Sequence, residues 1–175
     1  MGNVRLYGST SGYTELAPPA VAPDGVLSLP SGTGTLLTAE GGKILQVVRA
    51  TDTTDRSTTS ASFVDVTGMS VTITPTKATS SIMIVAAFRV ISDTATNGIY
   101  SLTDSADTAL SGAENAYIGD DTSSFRTLIT LTGYVSPATT SAVTYKLRFR
   151  VESAGTIRVG NASLTGQMYA IEVSA

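Results

Sequence analysis

Four aspartates, Asp104, Asp107, Asp120 and Asp121, form the densest acidic group in the chain, and carboxylate oxygens gathered in a loop are what Ca²⁺ takes as ligands. The group lacks the Asp-x-Asp-x-Asp-Gly run with a distant Glu that marks a dedicated calcium loop. The competing reading is Asp in exposed turns, where the side chain hydrogen-bonds the backbone two residues on. Glycoside hydrolysis needs two carboxylates facing each other across a groove; a chain with 14 Asp and Glu supplies pairs, but no spacing here implies a groove. His, Cys and Trp are absent altogether, which removes imidazole, thiolate and disulfide chemistry. The expectation is a non-enzymatic chain with no catalytic residue, no cofactor and no metal.

Two further groups could bind rather than react. Lys146, Arg148 and Arg150 alternate along one stretch and so share one face of a strand. Such a row suits an acidic partner surface or a negatively charged cell-surface sugar; equally, it suits a solvated face whose charges discourage edge pairing. Seven tyrosines, Tyr7, Tyr13, Tyr100, Tyr117, Tyr134, Tyr145 and Tyr169, offer rings on which sugars stack, or fill core and interface positions. Asn161-Ala162-Ser163 fits a glycosylation sequon, or simply a turn.

The elements that must position these residues read as strands. Charged residues make up 14% of the chain, against about 25% in an average soluble protein, and Thr and Ser take their place on the surface. Thr is β-branched and suits a pleated strand while its hydroxyl keeps the outer face wet. The net charge of −3 speaks against nucleic acid, which calls for a basic stripe. The longest apolar run, Ile82 to Phe88, is far short of the ~18 residues of a membrane span, and Met1 to Arg5 lacks a signal-peptide core.

Residues 1–43 hold four of the six prolines (Pro18, Pro19, Pro23, Pro30). Proline removes ladder donors, so the segment is expected to be an extended arm that cannot form a sheet of its own. Residues 44–175 then follow a period of two. Ile44–Arg49 reads as a first strand, and Thr51–Ser60 as a polar loop. Phe63–Val66 and Val71–Thr74 read as two short strands, parted by Thr67-Gly68 and closed by Pro75. In Ser81–Val90 the even positions are apolar and should face the core; the odd positions are mostly apolar too, as in a strand covered on both faces. Asn97-Gly98 reads as a tight hairpin turn between Ile91 and the strand Ile99–Leu102, followed by a loop to about Asp121. Arg126–Leu131, Tyr145–Glu152, Thr156–Val159 and Met168–Val173 complete the set. No stretch carries a capped helical period. The expected fold is an all-β antiparallel sandwich, jelly-roll-like, with an extended N-terminal arm.

Two stretches carry a resemblance. Gly8-Ser9-Thr10-Ser11-Gly12-Tyr13-Thr14-Glu15-Leu16-Ala17-Pro18-Pro19-Ala20-Val21-Ala22, continued by Val26-Leu27-Ser28-Leu29-Pro30 to Leu37, is similar to the N-terminal segment of phage virion proteins of the capsid-decoration (cement) or short tail-fibre type, as in phages of cyanobacteria and other aquatic bacteria. Ile44 to Val90, with Val71-Thr72-Ile73-Thr74-Pro75 and Ser80 to Val85, resembles the start of the jelly-roll-like domain in the same proteins. Together they cover about half the chain. The resemblance implies a virion structural protein and a homotrimer, and it supplies no catalytic residues. An arm without a core is also expected to gain shape from sister chains. The lead expectation is a trimeric decoration protein on the capsid exterior contacting the major capsid protein. The alternative is a tail fibre binding host surface glycans through Ser101–Ser124. Partner contacts are expected at Tyr13, Leu16, Val21, Leu27, Leu29, Leu36 and Leu37 in the arm, and at Lys146, Arg148 and Arg150 in the sandwich; no nucleic acid and no membrane insertion are expected.

Overall fold

The computed structural model of the protein describes residues 4–7, 13–16, 43–92, 95–120 and 124–174, with side chains in the last three stretches apart from Asp120. The chain clusters into two units, Met1–Thr38 and Ala39–Ala175. In the first, β1 (Val4–Tyr7) pairs antiparallel with β2 (Tyr13–Leu16), Tyr7 opposite Tyr13. This corrects the expectation that the leader forms no sheet of its own: the prolines begin at Pro18, so every residue up to Leu16 keeps its ladder donor.

The second unit is all strand among its described residues: β3 (Ile44–Asp52), β4 (Asp55–Thr58), β5 (Val64–Ile73), β6 (Ser81–Ser92), β7 (Thr96–Asp104), β8 (Ala116–Asp120), β9 (Phe125–Val135), β10 (Val143–Val151), β11 (Ile157–Gly160) and β12 (Gly166–Val173). One sheet runs β5-β10-β7-β8; the other runs β3-β12-β6, with β9 on the far side of β6 and β11-β4 alongside its second half. All pairings are antiparallel. β3 pairs with β12, β5 with β10, β6 with β9 and β7 with β8. That nesting, outermost with outermost and innermost with innermost, is the strand order of a jelly roll. The antiparallel sheets pack as a sandwich, as the sequence led one to expect.

Alternation builds the core. In β6, Ile82, Ile84, Ala86, Phe88 and Val90 are buried; in β10, Tyr145, Leu147, Phe149 and Val151 are buried, both sets at the period of two. The Tyr100 ring lies between Phe88 and Phe149, with centroids 5.5 and 6.5 Å away.

Four local expectations are corrected. Asn97 and Gly98 lie inside β7 rather than in a turn. Gly98 is needed because a Cβ there would stand 2.7 Å from the Tyr100 hydroxyl. The two short strands expected at Phe63–Val66 and Val71–Thr74 are one strand, β5 (Val64–Ile73), which bulges around Gly68 (φ +91°) where its register with β10 jumps. The polar stretch after Thr51 contains β4, and the loop before Asp121 contains β8. Strands of four or five residues with little alternation leave too weak a pattern to read.

Candidate interaction surface

The charged row on β10 does not face an empty solvent. Lys146 Nζ lies 3.0 Å from Asp65 and 2.7 Å from Asp107; Arg148 lies 2.9 Å from Asp65 and 3.1 Å from Asp107. Asp65 comes from the neighbouring β5 and Asp107 from the loop after β7, held at φ +67°. Two cations and two anions thus balance within the chain. The hydrogen bond from Lys146 draws the Asp107 carboxyl below its ordinary range and raises Lys146 in return. Arg150 sits over the Phe63 ring, 5.3 Å from its centroid. Of the acidic group read from the sequence, Asp104 does turn chemistry, its Oδ1 accepting from the amides of Ala106 and Thr108 at 2.8 and 2.9 Å, while Asp121 lies outside the described residues. Among the described residues no cluster of acids has the arrangement of a metal site.

Asn161 is 1% exposed and its amide donates to Asp52 at 3.1 Å, so the sequon's Asn is buried at the start of a turn whose next residues, Ala162 and Ser163, are exposed. Of the tyrosines, Tyr100 and Tyr145 are core, and burial raises both hydroxyls above their ordinary pKa, Tyr145 to about 12. Tyr117 and Tyr134 are exposed. Tyr13 and Leu16 lie in β2; Val21, Leu27, Leu29, Leu36 and Leu37 lie outside the described residues.

The surface that sequence reasoning caught only in part is the outer face of β3-β12-β6-β9. Register places Val47 opposite Ile171, Ile171 opposite Met83, and Met83 opposite Tyr134. Their side chains alternate with buried ones and so point outward together. Val47 is 55% exposed and Tyr134 51%; Ile171 and Met83 are half-buried. A second row sets Arg49 beside Tyr169, Val85 and Thr132. The guanidinium stacks 5.9 Å from the Tyr169 ring centroid and donates to Gln167 at 2.9 Å. Farther along β9, Leu128 is 63% exposed beside Arg89. The outward positions of these four strands carry Arg49, Arg89 and Arg126 and no carboxylate. A hollow of about 250 Å³ lies at one end of the first row, lined by Met83, Ser111, Gly112, Thr132, Gly133 and Tyr134.

The apolar odd positions of β6 were the signal for this face. The contributions of β3, β9 and β12 emerge only once register joins them. Such a face can seat a protein surface of apolar character with a neutral or acidic rim; it holds no pair of groups poised for acid–base work.

Comparison with protein-family models finds no match, and comparison with curated proteins finds none. Among solved structures, the chain is similar to one from the crystal structure of the T13 IBDV viral particle, at 15% identity and a TM-score of 0.41. The similarity covers 94% of this chain and 42% of that one, so this chain spans less than half the length of that protein. The likeness is too distant to carry a role from one to the other.

Proposed function

We propose that the chain is a non-enzymatic structural subunit of a bacteriophage particle: a homotrimeric decoration protein on the capsid exterior, attached through residues 1–43 and contacting its neighbours through the outer face of β3-β12-β6-β9. The observation that carries this reading is the apolar row Val47, Ile171, Met83 and Tyr134, aligned across four strands. A sheet face that stays in water is polar at alternate positions; along this row it is apolar there, and burial against another subunit removes that surface from water at about 25 cal/mol per Å². The resemblance of the leader and of the Ile44–Val90 region to virion proteins supports the same reading. Recognition of host glycans through Ser101–Ser124 has weaker support, because Leu110 and Ala113 of that stretch are built into the core.

Copy number on purified particles tests the proposal. Hundreds of copies, counted by cryo-EM or quantitative mass spectrometry, are expected for decoration, whereas a handful of trimers would assign the chain to a fibre. The variant V47D/M83D should melt within a few degrees of the wild type, because both side chains point away from the core, yet should fail to oligomerise and to join particles. Normal incorporation of that variant would remove the face from the argument.

A further inference from the structure

The other sheet, β5-β10-β7-β8, carries a row of a different kind on its outer side. Register places Tyr117 of β8 opposite Ile99 of β7, and Ile99 opposite Arg150 of β10. Phe63 adjoins Val64, which pairs with Phe149, and its ring centroid lies 5.3 Å from the Arg150 guanidinium. The strand neighbours of these residues, Tyr100, Phe149 and Val151, are core, and Ala116 and Ile118 pack against it. The row itself therefore points away from the core. Neighbouring strands lie ~4.8 Å apart, so Tyr117 and Arg150 stand about 10 Å apart along the row. Tyr117 is 57% exposed, whereas Ile99 between them has no exposed surface. The space between the two larger side chains is closed, and the row forms a platform rather than a cleft.

Arg150 is the cation of β10 that no carboxylate holds. Lys146 and Arg148 share Asp65 and Asp107. Among the described residues Arg150 engages the Val151 carbonyl, through Nη1 at 3.2 Å, and the Phe63 ring. A guanidinium has five N–H donors, so most of the fork is left for a ligand. Ring and carbonyl hold that fork in place beforehand, which lowers the ordering cost of binding. Such a fork takes a carboxylate through two parallel hydrogen bonds. Glu152, two residues along β10 and on the same face, already accepts from Asn97 Nδ2 at 2.7 Å. That planar amide–carboxylate pair can both donate to and accept from hydroxyls.

We propose that this platform binds an acidic saccharide, a sugar chain whose rings carry carboxylates. The apolar face of one ring stacks on Tyr117, the carboxylate of a neighbouring ring is taken by Arg150, and Asn97 and Glu152 bond hydroxyls. An acidic peptide would satisfy Arg150 equally well, but it makes no use of a flat exposed ring set beside an amide–carboxylate pair. The proposal does not rest on the virion reading. It lies on the sheet that the subunit contact proposed above does not use, and Tyr117 is its one contribution from β8.

Isothermal titration of the full-length protein with trigalacturonate and with sialyllactose separates uronic from sialic acids as the source of the carboxylate. At least one should bind with a Kd of about 0.1–1 mM, the range open to so small a contact. The methyl ester of the uronate, or lactose in place of sialyllactose, should bind roughly tenfold more weakly, the loss of one charge-assisted pair. Tyr117→Ala should weaken binding about fivefold, while Tyr117→Phe, which keeps the ring, should stay near wild type. Arg150→Gln should remove the preference for the acid over its neutral counterpart, with thermal melts checking that each variant is folded. Failure of both acids to bind at about ten times that Kd range overturns the proposal. So does binding that Tyr117→Ala and Arg150→Gln leave unchanged. Poly-glutamate bound as tightly as either sugar, and insensitive to Tyr117→Ala, would overturn it in favour of a protein partner.

Discussion

Glu172 shows how one buried side chain sets acid sensitivity. It has no exposed surface, and the anion is held by donors rather than by a cation: the Thr76 amide and hydroxyl at 2.8 Å each, the Lys77 amide at 3.3 Å and Gln46 Nε2 at 2.6 Å. Burial alone would raise its pKa; the hydrogen bonds, Gln46 first, prevail and bring it to about 2 from an ordinary 4.5. Because the folded value lies below the unfolded one, the stabilisation is full above about pH 4.5 and is lost as pH falls toward 2. Glu172→Gln should cost about 1–3 kcal/mol at pH 7, the worth of hydrogen bonds to a charged group, and should flatten the acid limb of a urea-denaturation series between pH 5 and 2. An unchanged acid limb would assign the sensitivity elsewhere. Tyr100 is the reverse case: its hydroxyl is buried with no hydrogen-bond partner among the described residues. Tyr100→Phe should therefore be neutral or stabilising, by up to about 1–2 kcal/mol, as read from thermal melts.

Strands that alternate over eight or more residues, β6 and β10 above all, were legible because burial on one face repeats at every second position. The β5 bulge was not. Thr67-Gly68 reads as a break, yet the chain continues through it because Gly68 takes a positive φ beside Asp52, whose Oδ1 would stand 2.6 Å from a Cβ there. Gly68→Ala should cost about 1–3 kcal/mol from backbone strain plus that clash, and urea midpoints compared with the wild type would measure it. The β10 charges were legible as a row but not as a network, since Asp65 and Asp107 are 81 and 39 residues from Lys146 and meet it only through pairing of β5, β7 and β10. The outer apolar face was half-legible for the same reason: β6 announces it, and long-range register completes it.

The described part of the whole molecule is a ten-strand jelly roll, with a leader clustered as a unit of its own. Removing residues 1–43 should leave a sandwich that melts cooperatively near the full-length temperature, because among the described residues the core begins at Val48, while, on the proposed function, incorporation into particles is lost. Normal decoration by the shortened protein would mean that attachment lies in the sandwich. At the other end, β12 sits between β3 and β6 and bonds to both along most of its length. β3 and β6 thus have no ladder between them until a segment that follows both in the chain fills the gap. A product terminated before Gly166 would carry two raw edges and an uncovered core, a substrate for proteases and chaperones. A copy cut short before Gly166 is therefore not a competent sandwich, and only chains that carry β12 bring β3 and β6 into one sheet.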